Sequence, residues 1–171
     1  MIPVGDGKAA HNAVDLARRL GVTLATAESL TAGMVSALLA TVPGVSTVLR
    51  GGIVSYHRDL KETLLGVDPD LLDRVGAVDP QVAKQMAEGA RRICEADVGI
   101  ATTGVAGPEP HEGKSVGTVF IAVAMPDGAV VCEFTFAGDR SQIRNASCEA
   151  ALNTLYETLT ASAAGTNVVP Q

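Results

Sequence analysis

Two spacings of apolar residues alternate along this chain. In residues 9–20 they fall at Ala10, Ala13, Val14 and Ala17, which is the spacing of an amphipathic helix. Residues 22–26 and 98–102 are instead short runs of apolar or β-branched residues, typical of buried strands. Along the whole chain, these spacings predict helices at residues 9–20, 31–40, 58–65, 69–75, 80–96 and 140–159, and strands at residues 22–26, 47–56, 98–102, 116–125 and 129–136.

Proline, glycine and aspartate mark the ends of the predicted elements. Asp79 is a predicted N-cap, because Pro80 follows it and proline is common at the first position of a helix. Asp139 is the predicted N-cap of the last helix. Residues 126–128 (Pro-Asp-Gly) predict a hairpin turn, and the glycine pair at 51–52 predicts a bulge or a close backbone approach. Because strands alternate with helices early and a hairpin comes late, we expect an α/β fold. Helices should cover both faces of a mixed, mainly parallel sheet.

The overall composition favours one domain over residues 1–171, with its core in residues 9–160 and a flexible tail at 161–171. Hydrophobic residues make up 47% of the chain and the mean hydropathy is +0.25, which excludes a disordered chain. A net charge of −6 and an aromatic content of only 3% argue against a nucleic-acid partner. The cysteines lack the spacing of a metal site, and no stretch resembles a membrane span or a signal peptide. We therefore expect a soluble cytoplasmic protein that needs no metal or cofactor.

Residues 26–33 (Thr-Ala-Glu-Ser-Leu-Thr-Ala-Gly) place a serine where a predicted strand passes into a helix. Open α/β sheets bind ligands at the carboxyl ends of their strands, and the free N–H groups of a helix start favour negative charge there. Ser29 therefore has the position of a nucleophile beside an oxyanion site. Serine is also a common N-cap, so the alternative is that Ser29 only caps the following helix.

Lys61 and Tyr56 are the candidates for the base that a serine nucleophile needs. Tyr56 ends a predicted strand, and Lys61 follows in the next short helix. A lysine serves as the base when burial or a neighbouring cation lowers the pKa of its amine, and a tyrosine hydroxyl can relay or orient a proton. Taken singly, Lys61 is also compatible with a surface residue and Tyr56 with the edge of the core. His57 and His111 remain alternative bases, although His57 should point away from the face that Tyr56 occupies.

Two further segments provide backbone and charge for a ligand. Residues 102–108 (Thr-Thr-Gly-Val-Ala-Gly-Pro) leave a strand, and Gly104 and Gly107 allow the backbone to approach a phosphate or a carbonyl oxygen. The segment has neither the Walker A nor the dinucleotide-binding spacing, so a plain glycine-rich turn is the alternative. Arg140 lies in the first turn of the last helix, against the preference of the helix dipole, which indicates an anion site. Arg144, one turn later, either assists there or faces solvent.

Together these segments resemble the CinA C-terminal domain family, also known as the PncC-type nicotinamide nucleotide amidases. The resemblance runs from about Asp15 to about Leu159 and consists of many blocks in the same order. The blocks are Thr-Ala-Glu-Ser at 26–29, Val-Pro-Gly at 42–44, Arg-Gly-Gly-Ile-Val-Ser-Tyr at 50–56, Lys61 with Leu-Leu-Gly-Val at 64–67, Gly-Ala-Val at 76–78, Met-Ala-Glu-Gly-Ala at 86–90, Thr-Gly-Val-Ala-Gly-Pro at 103–108, Val-Gly-Thr-Val at 116–119 and Gly-Asp-Arg at 138–140.

The resemblance implies an α/β/α three-layer sandwich that hydrolyses the carboxamide of nicotinamide mononucleotide to nicotinic acid mononucleotide and ammonia, without a metal. In this reading Ser29 is the nucleophile, Lys61 is the base and Tyr56 assists it. Glu28 is expected to orient Lys61 or the amide nitrogen. The residues expected to bind the nucleotide substrate, with the last at its phosphate, are Thr31, Thr103, Gly104, Gly107 and Arg140.

The chain departs from the family pattern at two places. Many relatives have Cys-Thr-Gly-Gly after the serine, where residues 30–33 here are Leu-Thr-Ala-Gly. The loop after Pro108 is commonly glycine-rich, but here it carries Glu109 and Glu112, whose carboxylates disfavour an anionic substrate. The alternative hypothesis is therefore a non-catalytic nucleotide-binding module, or an interaction module related to competence or DNA damage. By analogy with the family, we also expect a homo-oligomer.

Overall fold

Five strands form one sheet with helices on both of its faces. The structure is a computed structural model that describes residues 7–165. The helices are α1 (Lys8–Leu20), α2 (Met34–Ala40), a 3₁₀ helix (Val45–Thr47), α3 (Arg58–Thr63), α4 (Pro69–Val75), α5 (Pro80–Ile93) and α6 (Arg140–Ala163). The strands are β1 (Leu24–Glu28), β2 (Leu49–Val54), β3 (Val98–Gly104), β4 (Thr118–Met125) and β5 (Gly128–Thr135).

The spatial order of the strands is β2-β1-β3-β4-β5. β1 pairs in parallel with β2 on one side and with β3 on the other. β4 is antiparallel to both of its neighbours, β3 and β5, and the turn between β4 and β5 is the predicted hairpin. Four strands therefore run in one direction and β4 runs in the other, which confirms the expected mixed, mainly parallel sheet.

Alternate residues of the central strands face two separate apolar cores. On one face, Ile100 and Ile121 pack with the buried sides of α1, α2 and α6. On the other face, Ala101 and Ala122 pack with α4 and α5. The period of two along each strand places successive side chains on opposite faces, so each strand contributes to both cores. The result is the three-layer α/β/α sandwich implied by the family resemblance.

The face of the sheet beneath α5 is built from small residues, so the helix lies close to it. A Cβ atom on Gly99 of β3 would lie 2.0 Å from the carbonyl oxygen of Ala87 in α5. A Cβ atom on Gly89 of α5 would lie 2.1 Å from the carbonyl oxygen of Leu65. Both contacts are with backbone, which cannot move aside, so glycine is required at both positions.

Most elements begin or end a few residues from their predicted bounds, and three of these differences change the local structure. α2 begins at Met34 rather than at residue 31, because residues 29–33 form a separate turn. β2 is shorter than predicted and follows a 3₁₀ helix, and its register with β1 shifts between Leu24 and Ala25, next to the glycine pair that predicted a bulge. α6 extends to Ala163, so the first part of the expected flexible tail is helical. The rest of that tail, residues 166–171, lies outside the described residues.

The described residues contain neither a membrane-spanning helix nor a metal-binding cluster. Within residues 7–165, no helix combines the length and the apolar character needed to cross a bilayer. In the same part of the chain, no three His, Cys, Asp or Glu side chains are arranged to hold a metal ion. The three cysteines, Cys94, Cys132 and Cys148, are free thiols whose pKa is raised by burial.

Candidate active site

The carboxyl ends of the three parallel strands meet at one edge of the sheet, and the predicted site residues follow them. Ser29 comes directly after β1, Tyr56 lies just beyond β2, and Thr103 is near the end of β3. A cavity of about 340 Å³ opens at this edge, within the size range of small-molecule sites. The predicted residues that line it are Ser29, Tyr56, Lys61, Thr103, Gly104, Gly107 and Arg140.

Ser29 stands at the start of a tight turn rather than at the start of a helix. Its backbone N–H donates to the Thr102 carbonyl at 3.0 Å, and its own carbonyl accepts the N–H of Ala32 at 3.1 Å. Ala32 and Gly33 both have left-handed backbone, with φ of 50° and 92°, which turns the chain before α2 begins. The N-cap residue of α2 is Gly33, so the alternative in which Ser29 caps this helix is wrong.

The Glu28 carboxylate performs the capping instead. Its two oxygens accept three backbone N–H groups at the start of α2, those of Gly33, Val35 and Ser36, at 2.9, 3.0 and 2.8 Å. The hydroxyl groups of Thr31 and Ser36 also donate to it, both at 2.7 Å. Glu28 is 1% exposed, and none of its hydrogen bonds involves Lys61. Its role is therefore to hold the serine turn against α2, which replaces the expected role of orienting the lysine or the amide nitrogen.

The Lys61 amine reaches Ser29 from α3. Its Nζ donates to Ser29 Oγ at 3.0 Å, to the Ser55 carbonyl at 2.7 Å and, at the longer distance of 3.4 Å, to the Tyr56 carbonyl. The residue is only 1% exposed. Burial lowers the pKa of the amine from 10.5 to about 8, and the negative charge of Glu112 acts in the opposite direction. The lowered pKa brings the neutral form of the amine, which can accept a proton, closer to neutral pH.

Tyr56 and Arg140 contact each other rather than the serine. Arg140 donates to the Tyr56 hydroxyl at 2.7 Å and to the Gly107 carbonyl at 2.8 Å. Lys61 reaches Tyr56 only through the backbone carbonyl, so the tyrosine hydroxyl is not placed to relay a proton from this amine. The guanidinium instead joins the segments after β2 and β3 to the start of α6 on the lining of the cavity.

The two alternative histidine bases do not contact Ser29. His57 Nδ1 lies 2.6 Å from Asp59 Oδ1, and the His57 side chain is 80% exposed. Because β2 ends at Val54 and His57 is the N-cap residue of α3, the expected alternation of faces along a strand does not apply to it. His111 lines the cavity, but its Nε2 lies near the Glu112 carboxylate, at 3.8 Å. Of the three candidate bases, Lys61 is therefore the one that contacts Ser29.

The two predicted threonines act beneath and beside the cavity. Thr31 is completely buried, and its hydroxyl bonds to Glu28 and to the Thr102 hydroxyl, at 2.7 Å in each case. It is not among the residues that line the cavity, and its side chain supports the serine turn from beneath. Thr103 does line the cavity, and its hydroxyl donates to the Ala77 carbonyl at 2.7 Å.

Comparison with known families decides where this arrangement belongs. The sequence model of the CinA C-terminal domain matches residues 6–159, which is most of the chain. The chain belongs to the CinA C-terminal domain family. Among relatives of this CinA domain, a "Putative competence-damage inducible protein" of Desulforamulus reducens is 48% identical over 132 residues, covering 77% of this chain and 32% of that protein. A "CinA-like protein" of Frankia casuarinae is 49% identical over 131 residues, covering 77% of this chain and 30% of that protein.

Solved CinA structures have the same fold over nearly their whole length. The competence/damage inducible protein CihA from Agrobacterium tumefaciens is 34% identical with a TM-score of 0.87, covering 94% of this chain and 98% of that one. A competence or damage-inducible protein from Enterobacter asburiae is 31% identical with a TM-score of 0.86, covering 90% and 97%. By contrast, the chain spans about a third of the length of the curated relatives named above.

The sequence analysis did not identify the contacts of two residues that support the site of this CinA domain. Arg144 donates from Nε to the Leu30 carbonyl at 2.9 Å and from a terminal nitrogen to the Thr31 carbonyl at 3.1 Å, so it braces the serine turn from α6. Its spacing of one helical turn from Arg140 was the available signal. Glu112 accepts the N–H of Ala77 at 2.5 Å, and nothing local in the sequence indicates this contact.

Proposed function

We propose that this CinA domain is an amidohydrolase that converts nicotinamide mononucleotide to nicotinic acid mononucleotide and ammonia, with Ser29 as nucleophile and Lys61 as base. The observation that carries the proposal is the 3.0 Å hydrogen bond between Lys61 Nζ and Ser29 Oγ. A buried amine whose pKa is lowered to about 8 is matched to proton transfer near neutral pH. The choice of substrate rests on the family resemblance.

The reaction begins when the neutral Lys61 amine takes the proton of Ser29 Oγ as this oxygen attacks the carboxamide carbon. The carbonyl oxygen becomes an oxyanion. The protonated amine then gives its proton to the amide nitrogen, which leaves as ammonia, and the acyl group remains as an ester on Ser29. Water, deprotonated by the same amine, attacks the ester. The protonated amine returns this proton to Ser29 Oγ as the bond between the acyl carbon and Oγ breaks, and the carboxylic acid is released. Lys61 therefore serves once as base and once as acid in each half of the reaction.

The Leu30 N–H is the donor best placed by sequence position to stabilise the oxyanion. The N–H groups of Ser29, Ala32 and Gly33 are already bonded to other acceptors, whereas that of Leu30 has no acceptor among the described residues. Leu30 lines the cavity and directly follows the nucleophile. A backbone amide in this position commonly forms an oxyanion hole in serine hydrolases. The replacement of the family's cysteine by Leu30 leaves this amide unchanged.

The outer part of the cavity suits the two charges of this nucleotide. Arg140 offers a guanidinium for the phosphate, and the backbone of Gly104 and Gly107 allows close approach. Glu109 also lines the cavity and offers a negative charge for the cationic pyridinium ring. This gives the unusual acidic loop a role compatible with the proposed substrate.

The test is ammonia release from nicotinamide mononucleotide by the purified protein. Ser29→Ala and Lys61→Arg should each lower kcat by at least about 10³-fold, because each removes an atom that reacts or transfers a proton. Lys84→Arg, on the exposed side of α5, is the matched control for the lysine change and should leave the rate unchanged. Wild-type release no greater than that of Ser29→Ala would refute the proposal.

The alternative function is a nucleotide-binding module without catalysis. The observation that motivates it is the departure of the loop after Pro108 from the family's glycine-rich pattern, beside the same cavity. Calorimetry distinguishes the two functions. Nucleotide binding without turnover, equal in wild type and Lys61→Ala, would support the binding module, and a measurable rate lost in Ser29→Ala would refute it.

A further inference from the structure

The acidic loop at residues 109–113 is fastened to the loop between α4 and α5. Glu112 Oε2 accepts the backbone N–H of Ala77 at 2.5 Å. A Cβ atom on Gly76 would lie 2.4 Å from the same carboxylate oxygen, so the close approach requires glycine there. Gly76 also has a φ of 78°, a backbone conformation that other residues rarely adopt. The two loops therefore fit each other through specific residues on both sides.

The Ala77 residue is held on both sides of its backbone. Glu112 binds its N–H, and the Thr103 hydroxyl binds its carbonyl at 2.7 Å. Ala77 and Val78 both line the cavity that contains Ser29 and Lys61. This wall of the cavity is consequently anchored to the end of β3 by one side chain and to the acidic loop by the other.

We propose that Glu112 is a positioning residue: its carboxylate holds the Ala77 wall in place beside the Ser29–Lys61 pair. This inference rests on the proposed function, because it gives a role in that reaction to a loop that departs from the family pattern. Glu112 acts through Ala77, and it does not itself react.

The charge of Glu112 gives a second, supporting readout at the Lys61 amine, which depends on the other charged groups near that amine. The titratable and charged side chains that line the cavity with Lys61 are Tyr56, Glu109, His111 and Arg140. Glu112 bonds to Ala77 on the cavity wall, and Glu28 directly precedes Ser29. Of the groups in the described residues, Glu112 is the one whose charge raises the pKa of Lys61 against the effect of burial. Removing that charge should lower the pKa and allow the amine to work at lower pH.

Two substitutions separate the charge of Glu112 from its hydrogen bond. Glu112→Gln keeps an oxygen that can accept the Ala77 N–H and removes the charge, whereas Glu112→Ala removes both. We expect both variants to move the acidic limb of kcat/KM to lower pH, by up to about half a pH unit for a partly exposed charge. Only Glu112→Ala should raise KM, by about 3-fold or more, because the Ala77 wall is released. Glu133→Gln, on the exposed part of β5, is the matched control and should change neither quantity.

An NMR titration of the Lys61 side chain in isotope-labelled protein provides a readout that needs no turnover. Its signal is assigned by its absence in Lys61→Arg. An unchanged KM in Glu112→Ala would overturn the positioning role, and an unchanged Lys61 pKa in Glu112→Gln would refute the effect of the Glu112 charge on the amine. If neither the wild type nor any variant released ammonia, the proposed function would be refuted. The NMR titration and calorimetric binding of nicotinic acid mononucleotide would still decide the role of Glu112.

Discussion

Replacing Lys61 by methionine tests the central feature of the site without assuming a substrate. Methionine keeps an unbranched side chain of similar length and removes the buried amine. The variant loses the hydrogen bonds from Nζ to Ser29 Oγ and to the Ser55 carbonyl, at 3.0 and 2.7 Å. It also removes the cost of burying a charge, so its stability should depend on pH in a way that differs from wild type.

The pKa of Lys61 sets the size of this effect. Folding lowers it from 10.5 to about 8, and each unit corresponds to about 1.4 kcal/mol. Burying the charged amine therefore costs about 3 kcal/mol in the free energy of folding. Below about pH 8 the folded and unfolded chains both carry the proton, so the cost is complete and constant. Between about pH 8 and 10.5 the unfolded chain binds more protons, so the stability of the wild type rises with pH.

Urea unfolding of wild type and Lys61→Met at pH 7 and pH 10 measures the difference. At pH 7 the variant gains about 3 kcal/mol from the removed charge and loses about 1 kcal/mol for each hydrogen bond. This advantage should fall by about 2.5 kcal/mol between the two pH values, because the wild-type amine becomes neutral. Subtraction cancels the other titrating groups that both proteins share.

Lys84→Met is the matched control, because this lysine lies on α5 with 41% of its side chain exposed. Its stability difference from wild type should stay the same at both pH values. A Lys61→Met difference that also stays the same at pH 7 and pH 10 would refute the conclusion that the amine is desolvated.

Three further substitutions test the supports of the site and of the sheet. Glu28→Ala leaves three N–H groups at the start of α2 without acceptors and should lower the free energy of unfolding by about 3–5 kcal/mol, measured by urea unfolding; a loss below about 1 kcal/mol would contradict the capping role. Gly99→Ala forces a Cβ atom against the Ala87 carbonyl and should cost about 3 kcal/mol, seen as a lower Tm; an unchanged Tm would show that α5 can move away. Asp139→Ala removes the side-chain cap of α6 and should cost about 1 kcal/mol in the same urea assay, whereas no loss would mean that the cap is dispensable.

The first residue of a helix could be predicted from the sequence where a capping residue lies directly before it. The Asp79-Pro80 and Asp139-Arg140 pairs mark the first residues of α5 and α6, and both aspartates cap their helices through their own side chains. The signal is sufficient because an N-cap bonds to N–H groups only two or three residues away. The start of α2 was misplaced because its cap, Glu28, bonds to N–H groups as far as Ser36 and therefore follows no local rule.

The meeting of Ser29 and Lys61 was accessible to prediction because the sheet imposes it. Ser29 follows β1, Lys61 follows its neighbour β2, and parallel neighbours end at the same edge. The hydrogen-bond partner of the Tyr56 hydroxyl could not be predicted from the sheet in the same manner. It is Arg140, 84 residues away in the sequence, and the contact depends on how α6 crosses the sheet. Apolar periodicity identifies the buried side of a helix, but it contains no information about which polar residue lies opposite its first turn.

The position of Glu28 next to Ser29 explains how the serine hydroxyl remains available at a helix start. Free N–H groups there attract the nearest acceptor, and a serine hydroxyl would ordinarily fill that role. The Glu28 carboxylate is a stronger acceptor and binds three of these groups. The left-handed backbone conformations of Ala32 and Gly33 then reverse the chain, so that the turn folds back on this carboxylate. Ser29 Oγ is consequently left to the Lys61 amine, and the two neighbouring polar residues serve separate purposes, one in the fold and one in the proposed chemistry.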